Sequence, residues 1–432
     1  MKAALLSTLA LMGQALAAAN PTATSASDVF AAQATAVTSH KFSHVDGAVF
    51  DRFVTIWLEN TDYDKAAADP DLAWLAQKGI TLSNYYGVTH PSEPNYVASI
   101  GGDYFGIDND NFNQVDQSVF SVVDLLEDKS IEWATYQEDM PYSGYQGMAW
   151  VNQNTKANDY VRKHHPTIIY NRNITPERLA KQKNLTEFYT DLKADKLPQW
   201  MFITPNMTSD GHDTSVTTAG SWTRDFLTPL LNDPKSNFWK RTLVLITFDE
   251  THTYTLGNRV YSILLGDAVP SDLVGTTDSK FYNHYSEIST VEANWGLHTL
   301  GRWDTGANVF SNVAAETGDV YRPYDAVTSS SETVFLNSST PGPFNSVAAN
   351  VQTYNAPNLC IVSPDTGRTV LPAIKKAWAN STQTVYTDSV QIPDGSHVAK
   401  AFTMSCNSNG GRGQDGDDGD DGDDCDGDDG DY

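Results

Sequence analysis

Five short polar segments between residues 58 and 286 carry the side chains that could do chemistry: Leu58-Glu59-Asn60, His90-Pro91-Ser92-Glu93-Pro94-Asn95, Asp210-Gly211-His212-Asp213, Thr247-Phe248-Asp249-Glu250 and His284-Tyr285-Ser286. Each stands where an apolar, strand-like run ends or a helix-like run begins. In an open α/β sheet those positions meet along the C-terminal strand edge, where ligands bind. One hydroxyl nucleophile among several hard oxygen ligands suits metal-assisted phosphoryl chemistry.

Taken singly, each segment also has a plainer reading. Ser92 lies just before a helix, whose free N–H groups and positive dipole end suit a phosphate; it equally suits an ordinary N-cap. His90 reads otherwise as a satisfied loop histidine and His284 as a surface cap. Glu59-Asn60 reads as one or two oxygen ligands for a divalent cation, or as a polar cap on a turn. Asp249-Glu250 is the sharper signal, because two carboxylates directly after a buried strand are costly unless something neutralises them. Asp210-Gly211-His212-Asp213 packs three titratable groups around a glycine that permits a tight turn, and is otherwise a solvated loop. The order of the segments carries more weight than any one of them.

The elements that must position these groups alternate strand and helix. Strands are expected over Ala48–Leu58, Ile80–Val88, Ile131–Tyr136, Trp200–Thr204, Arg241–Phe248 and Ser262–Leu265. Helices are expected from Pro70 to Lys78, Glu93 to Ile100, Val122 to Asp128, Leu185 to Ala194, Ser221 to Leu231 and His284 to Leu297. The near-continuous apolar run Arg241–Phe248 marks a parallel strand buried on both faces. The fold class is therefore α/β, with a mainly parallel central sheet flanked by helices. A loop-rich extension is expected from about residue 303 to 409.

Around this domain, expected over 46–409, the sequence places three other segments. Residues 1–17 combine Lys2, an apolar run and Ala15-Leu16-Ala17, the pattern of a secretory signal. Residues 18–45 read as a propeptide or a loose leader. Residues 410–432 are Gly-Asp low complexity with eleven Asp between Asp415 and Asp431 and no basic residue in that stretch, and are expected to be disordered. The net charge is -26, and the remainder stays acidic without the tail. No basic stripe exists for a nucleic-acid backbone, so nucleic-acid binding is not expected. No apolar run past the signal spans a bilayer. Secretion implies glycans, and five sequons stand at Asn173, Asn184, Asn206, Asn337 and Asn380. It also permits a disulfide between Cys360 and Cys406, leaving Cys425 over in the tail; two free buried cysteines are the alternative.

The order of the five motifs, from about Ala48 to Leu300, resembles the phosphoesterase family of secreted fungal acid phosphatases and bacterial phospholipases C, within the alkaline-phosphatase-like superfamily. The resemblance implies that fold. It implies one divalent metal ion, of unspecified identity, held by Glu59, Asn60, Ser92, Asp249 and Glu250. It makes Ser92 the nucleophile, with His90, His212 and His284 as catalytic histidines acting on the phosphate or the leaving group. Asn95 and Asn109 are implied to bind the phosphate, and Asp210 and Asp213 to support the site from behind. Thr251-His252-Thr253 departs from the His-Gly-Gly that often follows Asp-Glu in phospholipase-type members. The spacing of Asp210 and His212 departs from two-metal enzymes of the superfamily.

The expected activity is hydrolysis of phosphate monoesters outside the cell, through a phosphoserine. Two alternatives remain at this stage: a phospholipase C-type phosphodiesterase, and a secreted cation-binding protein whose working part is the tail. The tail lacks the closing Glu of a twelve-residue Ca²⁺ loop.

Overall fold

The computed structural model describes residues 25–233, 237–322, 354–363 and 366–386, together with Phe344 and the strand Thr403–Met404. The signal segment, Asn337, Cys406, Cys425 and the Gly-Asp tail lie outside the described residues. Among the described residues no helix is long and apolar enough to cross a membrane.

Among the described residues, eleven strands precede residue 300: β1 (Arg52–Leu58), β2 (Ile80–Tyr86), β3 (Trp133–Gln137), β4 (Ala149–Val151), β5 (Asn158–Val161), β6 (Gln182–Asn184), β7 (Trp200–Thr204), β8 (Thr242–Phe248), β9 (Arg259–Leu265), β10 (Thr276–Asp278) and β11 (Tyr282–Asn283). Nine form one sheet in the order β10-β2-β9-β8-β1-β7-β3-β6, with β11 also on β2. The strands β8, β1, β7, β3 and β6 are mutually parallel. Every residue of β8 is buried, as its unbroken apolar run anticipates. Phe53, Ile56, Leu243, Leu245, Ile246 and Ile263 sit at the centre of the main core.

β9 departs from the parallel pattern, pairing antiparallel with both β8 and β2. No helix intervenes between β8 and β9. A connection that short can only return the chain antiparallel, since a parallel crossover needs a dozen or more residues. β2 and β8 still end on the same edge of the sheet. At that edge the backbones come close: a Cβ at Gly87 would lie 2.6 Å from the Asp249 carbonyl oxygen and 2.8 Å from Asn258 Nδ2.

Two other expectations differ from the structure. The long helix begins at Val216, directly after Ser215, rather than at Ser221; the β-branched Thr217 and Thr218 mask its first turn in the sequence. The leader is not loose from residue 25 onward. It forms the helix Ala26–Gln33 and then a strap along the domain. Ser39 N–H donates to Ala180 O (2.8 Å), Val45 N–H donates to Gln199 Oε1 (2.8 Å), and His40 Nδ1 lies 2.6 Å from Asp191 Oδ1.

The helix Tyr285–Trp295 packs behind the sheet edge and is buried along its length. Its Glu287 lies under β1 and β2, accepting from Trp57 Nε1 (3.1 Å) and the Tyr85 hydroxyl (3.0 Å). Burial pushes its carboxyl up to about 8. A carboxyl raised in the folded state contributes stability that is complete below its ordinary pKa near 4.5 and is lost as pH rises through about 8. Unfolding midpoints in urea should therefore fall between about pH 5 and pH 8. Glu287→Gln should flatten that part of the profile; a variant with the wild-type slope would show that Glu287 does not carry it.

Candidate active site

Ser92 opens the helix Ser92–Gly101, directly after the loop that leaves β2. It is buried, and its hydroxyl faces the ends of β1 and β8. Ser92 Oγ lies 3.2 Å from Glu59 Oε2, 3.3 Å from Asn60 Oδ1 and 3.5 Å from Glu250 Oε1. Three of the five sequence segments thus meet at one hydroxyl.

Glu59 and Asn60 follow β1, and Asp249 and Glu250 follow β8, its parallel neighbour. The β1–β8 register pairs Leu58 with Phe248, so the two polar pairs emerge side by side. Asn60 turns the chain with φ 32°, a left-handed conformation that Asn tolerates better than most residues. Its backbone N–H donates to Asp249 Oδ1 at 3.0 Å. Its side-chain oxygen points at carboxylates. Turned about, the amide would donate to both Asp249 oxygens at 3.2 Å and to Glu59 Oε2 at 3.0 Å. The amide can therefore present its NH₂ to the carboxylates or its oxygen to a cation held among them.

Electrostatics carry the same message. Burial, with Asp249 and Asp210 nearby, pushes the Glu59 carboxyl well above the usual range. Burial raises Glu250 in the same way, helped by Asp249 and Asp110, and burial raises Asp249. Asp210 is raised by burial too, and its Oδ1 accepts the His212 N–H at 2.8 Å. Four carboxyls held out of water in one place resist ionising together. The all-oxygen set of Glu59, Asn60, Ser92, Asp249 and Glu250 fits a hard divalent cation, which would relieve that strain.

Several side chains that the sequence reading passed over complete the site. The Tyr96 hydroxyl donates to Glu59 Oε1 at 2.5 Å. His164 stacks on Tyr96, with centroids 5.1 Å apart and planes within 14°. Its Nε2 lies 3.1 Å from Glu59 Oε1, in a contact short of hydrogen-bond geometry, and its Nδ1 lies 3.4 Å from Asp210 Oδ2. Burial holds the ring well below the usual imidazole range, with Lys163 and His212 adding to the effect. Glu59, His164 and His212 offer donor atoms within 4.8 Å of one another. Lys163 Nζ reaches Asp110 Oδ2 (3.0 Å) and His212 Nε2 (3.3 Å). Tyr254 stacks on His90 at 3.9 Å, and its hydroxyl approaches Glu250 Oε1 at 3.4 Å.

His164 and Lys163 belong to a short 3₁₀ turn, Arg162–His164, fed by the β4–β5 hairpin. Neither element has the length to show periodicity. The only signal was compositional: Arg162-Lys163-His164-His165 is a run of four cationic or imidazole groups unmatched elsewhere in the chain.

The other sequence candidates divide. His90 is at the site, its Nδ1 2.6 Å from Glu250 Oε2, and burial lowers its ring to about 4. His212 lies at the mouth, its Nδ1 2.8 Å from Asp213 Oδ1. Asp213 also accepts from Asn158 Nδ2 at 3.1 Å, so it holds the mouth rather than the floor. His284 does not face the cleft. Its Nε2 donates to the Asp249 carbonyl at 2.6 Å, its Nδ1 lies 3.2 Å from the Tyr85 hydroxyl, and its ring packs on Trp57. Both nitrogens are engaged behind the site, so this placement corrects its reading as a proton donor to a leaving group.

Asn95 and Asn109 also depart from phosphate contact. Asn95 Oδ1 accepts from Val88 and Thr89 N–H (2.8 and 3.0 Å), and its Nδ2 donates to Thr89 and Pro91 carbonyls (2.8 and 3.2 Å). It braces the loop that presents Ser92. Asn109 bonds within its own loop, to Asp108, Asn111 and Asn113. Its neighbour Asp110 is the residue that enters the site, accepting the Glu93 N–H at 3.0 Å.

Residues 7–298 match the family model described as the Phosphoesterase family. The chain is 49% identical over 355 residues to an acid phosphatase of Aspergillus fumigatus, covering 81% of this chain and 77% of that protein. It is 51% identical over 320 residues to the phosphate-repressible acid phosphatase of Penicillium chrysogenum, covering 74% and 75%. It is 46% identical over 378 residues to a probable acid phosphatase of Kluyveromyces lactis, covering 87% and 85%. A phosphonate monoester hydrolase of Agrobacterium radiobacter, 12% identical, superposes with a TM-score of 0.42 over 64% of this chain and 78% of that one.

The bracing role of Asn95 separates from substrate contact by experiment. Asn95→Ala removes four hydrogen bonds to buried backbone and leaves their partners unmatched, at about 1–3 kcal/mol for each unsatisfied group. The urea midpoint should drop substantially with an unchanged slope. A variant of wild-type stability whose only defect is a raised KM would place Asn95 against the substrate instead.

Proposed function

The chain belongs to the phosphoesterase family, and from that premise we propose that it works as a secreted acid phosphatase, releasing phosphate from monoesters through Ser92. Fungal acid phosphatases at 46–51% identity make it a phosphoric ester hydrolase. The observation that carries the mechanism is the convergence of Glu59, Asn60 and Glu250 on the buried Ser92 Oγ, within 3.5 Å. The secretory pattern of residues 1–17 supports the compartment.

Glu59, Asn60, Ser92, Asp249 and Glu250 would hold one divalent metal ion. Bound there, it would lower the serine pKa and neutralise phosphoryl charge. The Ser92 hydroxyl gives up its proton to solvent and Oγ attacks phosphorus; the bond to the ester oxygen breaks, leaving phosphoserine, and the departing oxygen takes a proton from His212. Phosphoserine then forms inorganic phosphate by in-line attack of water. His212 stands at the mouth, where the leaving group departs, and exchanges the proton in both steps; Asp213 fixes its Nδ1. His90 anchors Glu250, and His284 anchors the Asp249 backbone from behind. Tyr96 holds Glu59 in place, and His164 stacks on Tyr96.

Two measurements test this reading. Ser92→Ala should lose several orders of magnitude in kcat on a phosphate monoester while its circular dichroism stays native. Retention of more than about a tenth of the rate, under roughly 1.4 kcal/mol of barrier, would exclude Ser92 as nucleophile. Asp249→Asn should bind less metal by elemental analysis, and chelation should silence the wild-type enzyme reversibly. Unchanged stoichiometry in the variant would remove Asp249 from the ligand set.

A further inference from the structure

A helix that begins at the nucleophile suggests that its free amides hold the phosphate. The structure fills that position differently. Asp110 Oδ1 takes the Glu93 N–H at 3.0 Å, so this amide is not offered to an anion. The same carboxylate holds Lys163 Nζ through Oδ2 at 3.0 Å, and the ammonium lies 3.3 Å from His212 Nε2. Asp110 thus exchanges a helix-end dipole for a full cation at the mouth of the cleft.

Among the described residues, the neighbouring cation is turned elsewhere. The adjacent Arg162 lies over the Phe112 ring at 4.3 Å and donates to the Ile168 carbonyl at 2.8 Å. Lys163 is mostly buried, with a side chain 14% exposed. Burial disfavours its charge, but Asp110, Glu59 and Asp249 more than offset this and raise its pKa. Its position at the edge of the Glu59, His164 and His212 cluster gives that group of donors a positive partner from the protein itself.

Resting on the monoesterase reading above, we propose that Lys163 is a substrate-binding residue. Its ammonium grips the phosphoryl oxygens of a group bound at Ser92, and Asp110 holds it in place. The charge argument is direct. A phosphoryl group approaching Ser92 enters a pocket of buried carboxyls, and an anion with two charges gains more from a fixed cation than an anion with one. Lys163 therefore favours terminal phosphates over diesters.

The test uses the metal-loaded full chain and inorganic phosphate as probe. Lys163→Gln keeps hydrogen-bonding capacity and removes the charge; Lys163→Arg keeps the charge. Calorimetry should show phosphate binding weakened roughly ten- to hundredfold in Lys163→Gln, with KM for a monoester raised and metal content unchanged, and largely restored in Lys163→Arg. Phosphate affinity equal to wild type in Lys163→Gln overturns the proposal. Should that variant fail to fold, reductive methylation of the wild type decides. Phosphate should slow labelling of Lys163 but not of the exposed Lys41; equal labelling with and without phosphate overturns the proposal. A wild type with neither monoester turnover nor phosphate affinity would instead remove the monoesterase reading itself.

Discussion

Four carboxylates, Glu59, Asp210, Asp249 and Glu250, are buried together at one edge of the sheet, and the surrounding structure is organised around that repulsion. Isolated buried charges cost several kcal/mol each even after relaxation. The sheet tolerates them because they stand at strand ends, where apolar β1 and β8 stop and backbone N–H groups are free to help. Asn60 N–H bonds Asp249, and Asp249 N–H in turn bonds the Leu58 carbonyl. The two strand ends are thereby locked to each other before any side chain meets the serine. A group that repels itself is also a group that welcomes a cation, so the same feature that opposes folding equips the pocket for phosphoryl chemistry.

The outer partners divide the work by position. Tyr96 holds Glu59 from the helix side, with His164 of the 3₁₀ turn stacked on it, while His90 and Tyr254 hold Glu250 from the loop side. Each carboxylate that touches Ser92 therefore has at least one oxygen fixed by an aromatic or imidazole group. Long side chains on loops would otherwise sample many rotamers, and a nucleophile placed an ångström out of line loses much of its rate. The aromatic stacking of His164 on Tyr96 and of His90 on Tyr254 limits that sampling without adding charge.

What could be read from the sequence followed from where chemistry and periodicity coincide. Glu59-Asn60, Ser92 and Asp249-Glu250 were legible because each punctuates a long, strongly patterned strand or helix. The central parallel strands were legible for the same reason. Lys163, His164 and Tyr254 were not, because a three-residue turn and an irregular β8–β9 connection have no period to read. His284 and Asn95 show the converse limit. A polar residue at a strand or helix junction gives the same signal whether it faces the substrate or holds the backbone that presents it. Only the hydrogen bonds distinguish the two: His284 to the Asp249 carbonyl, and Asn95 to the Val88–Pro91 loop. The leader strap was missed because its contacts, such as His40 with Asp191, join residues far apart in sequence.

The layer behind the pocket explains why these bracing residues are polar at all. Glu287, Tyr85 and His284 form a chain of buried polar groups that ends on the Asp249 carbonyl. An apolar layer would pack as well, but it would leave that carbonyl without a donor at a point where β2 crowds it through Gly87. Satisfying the carbonyl requires an imidazole N–H, and fixing that tautomer requires a partner for the other ring nitrogen. The Tyr85 hydroxyl lies 3.2 Å from that nitrogen and 3.0 Å from Glu287, its one proton shared between them, and Trp57 also donates to Glu287. The buried polar chain is thus a consequence of bringing two strand ends close enough for their carboxylates to share one site.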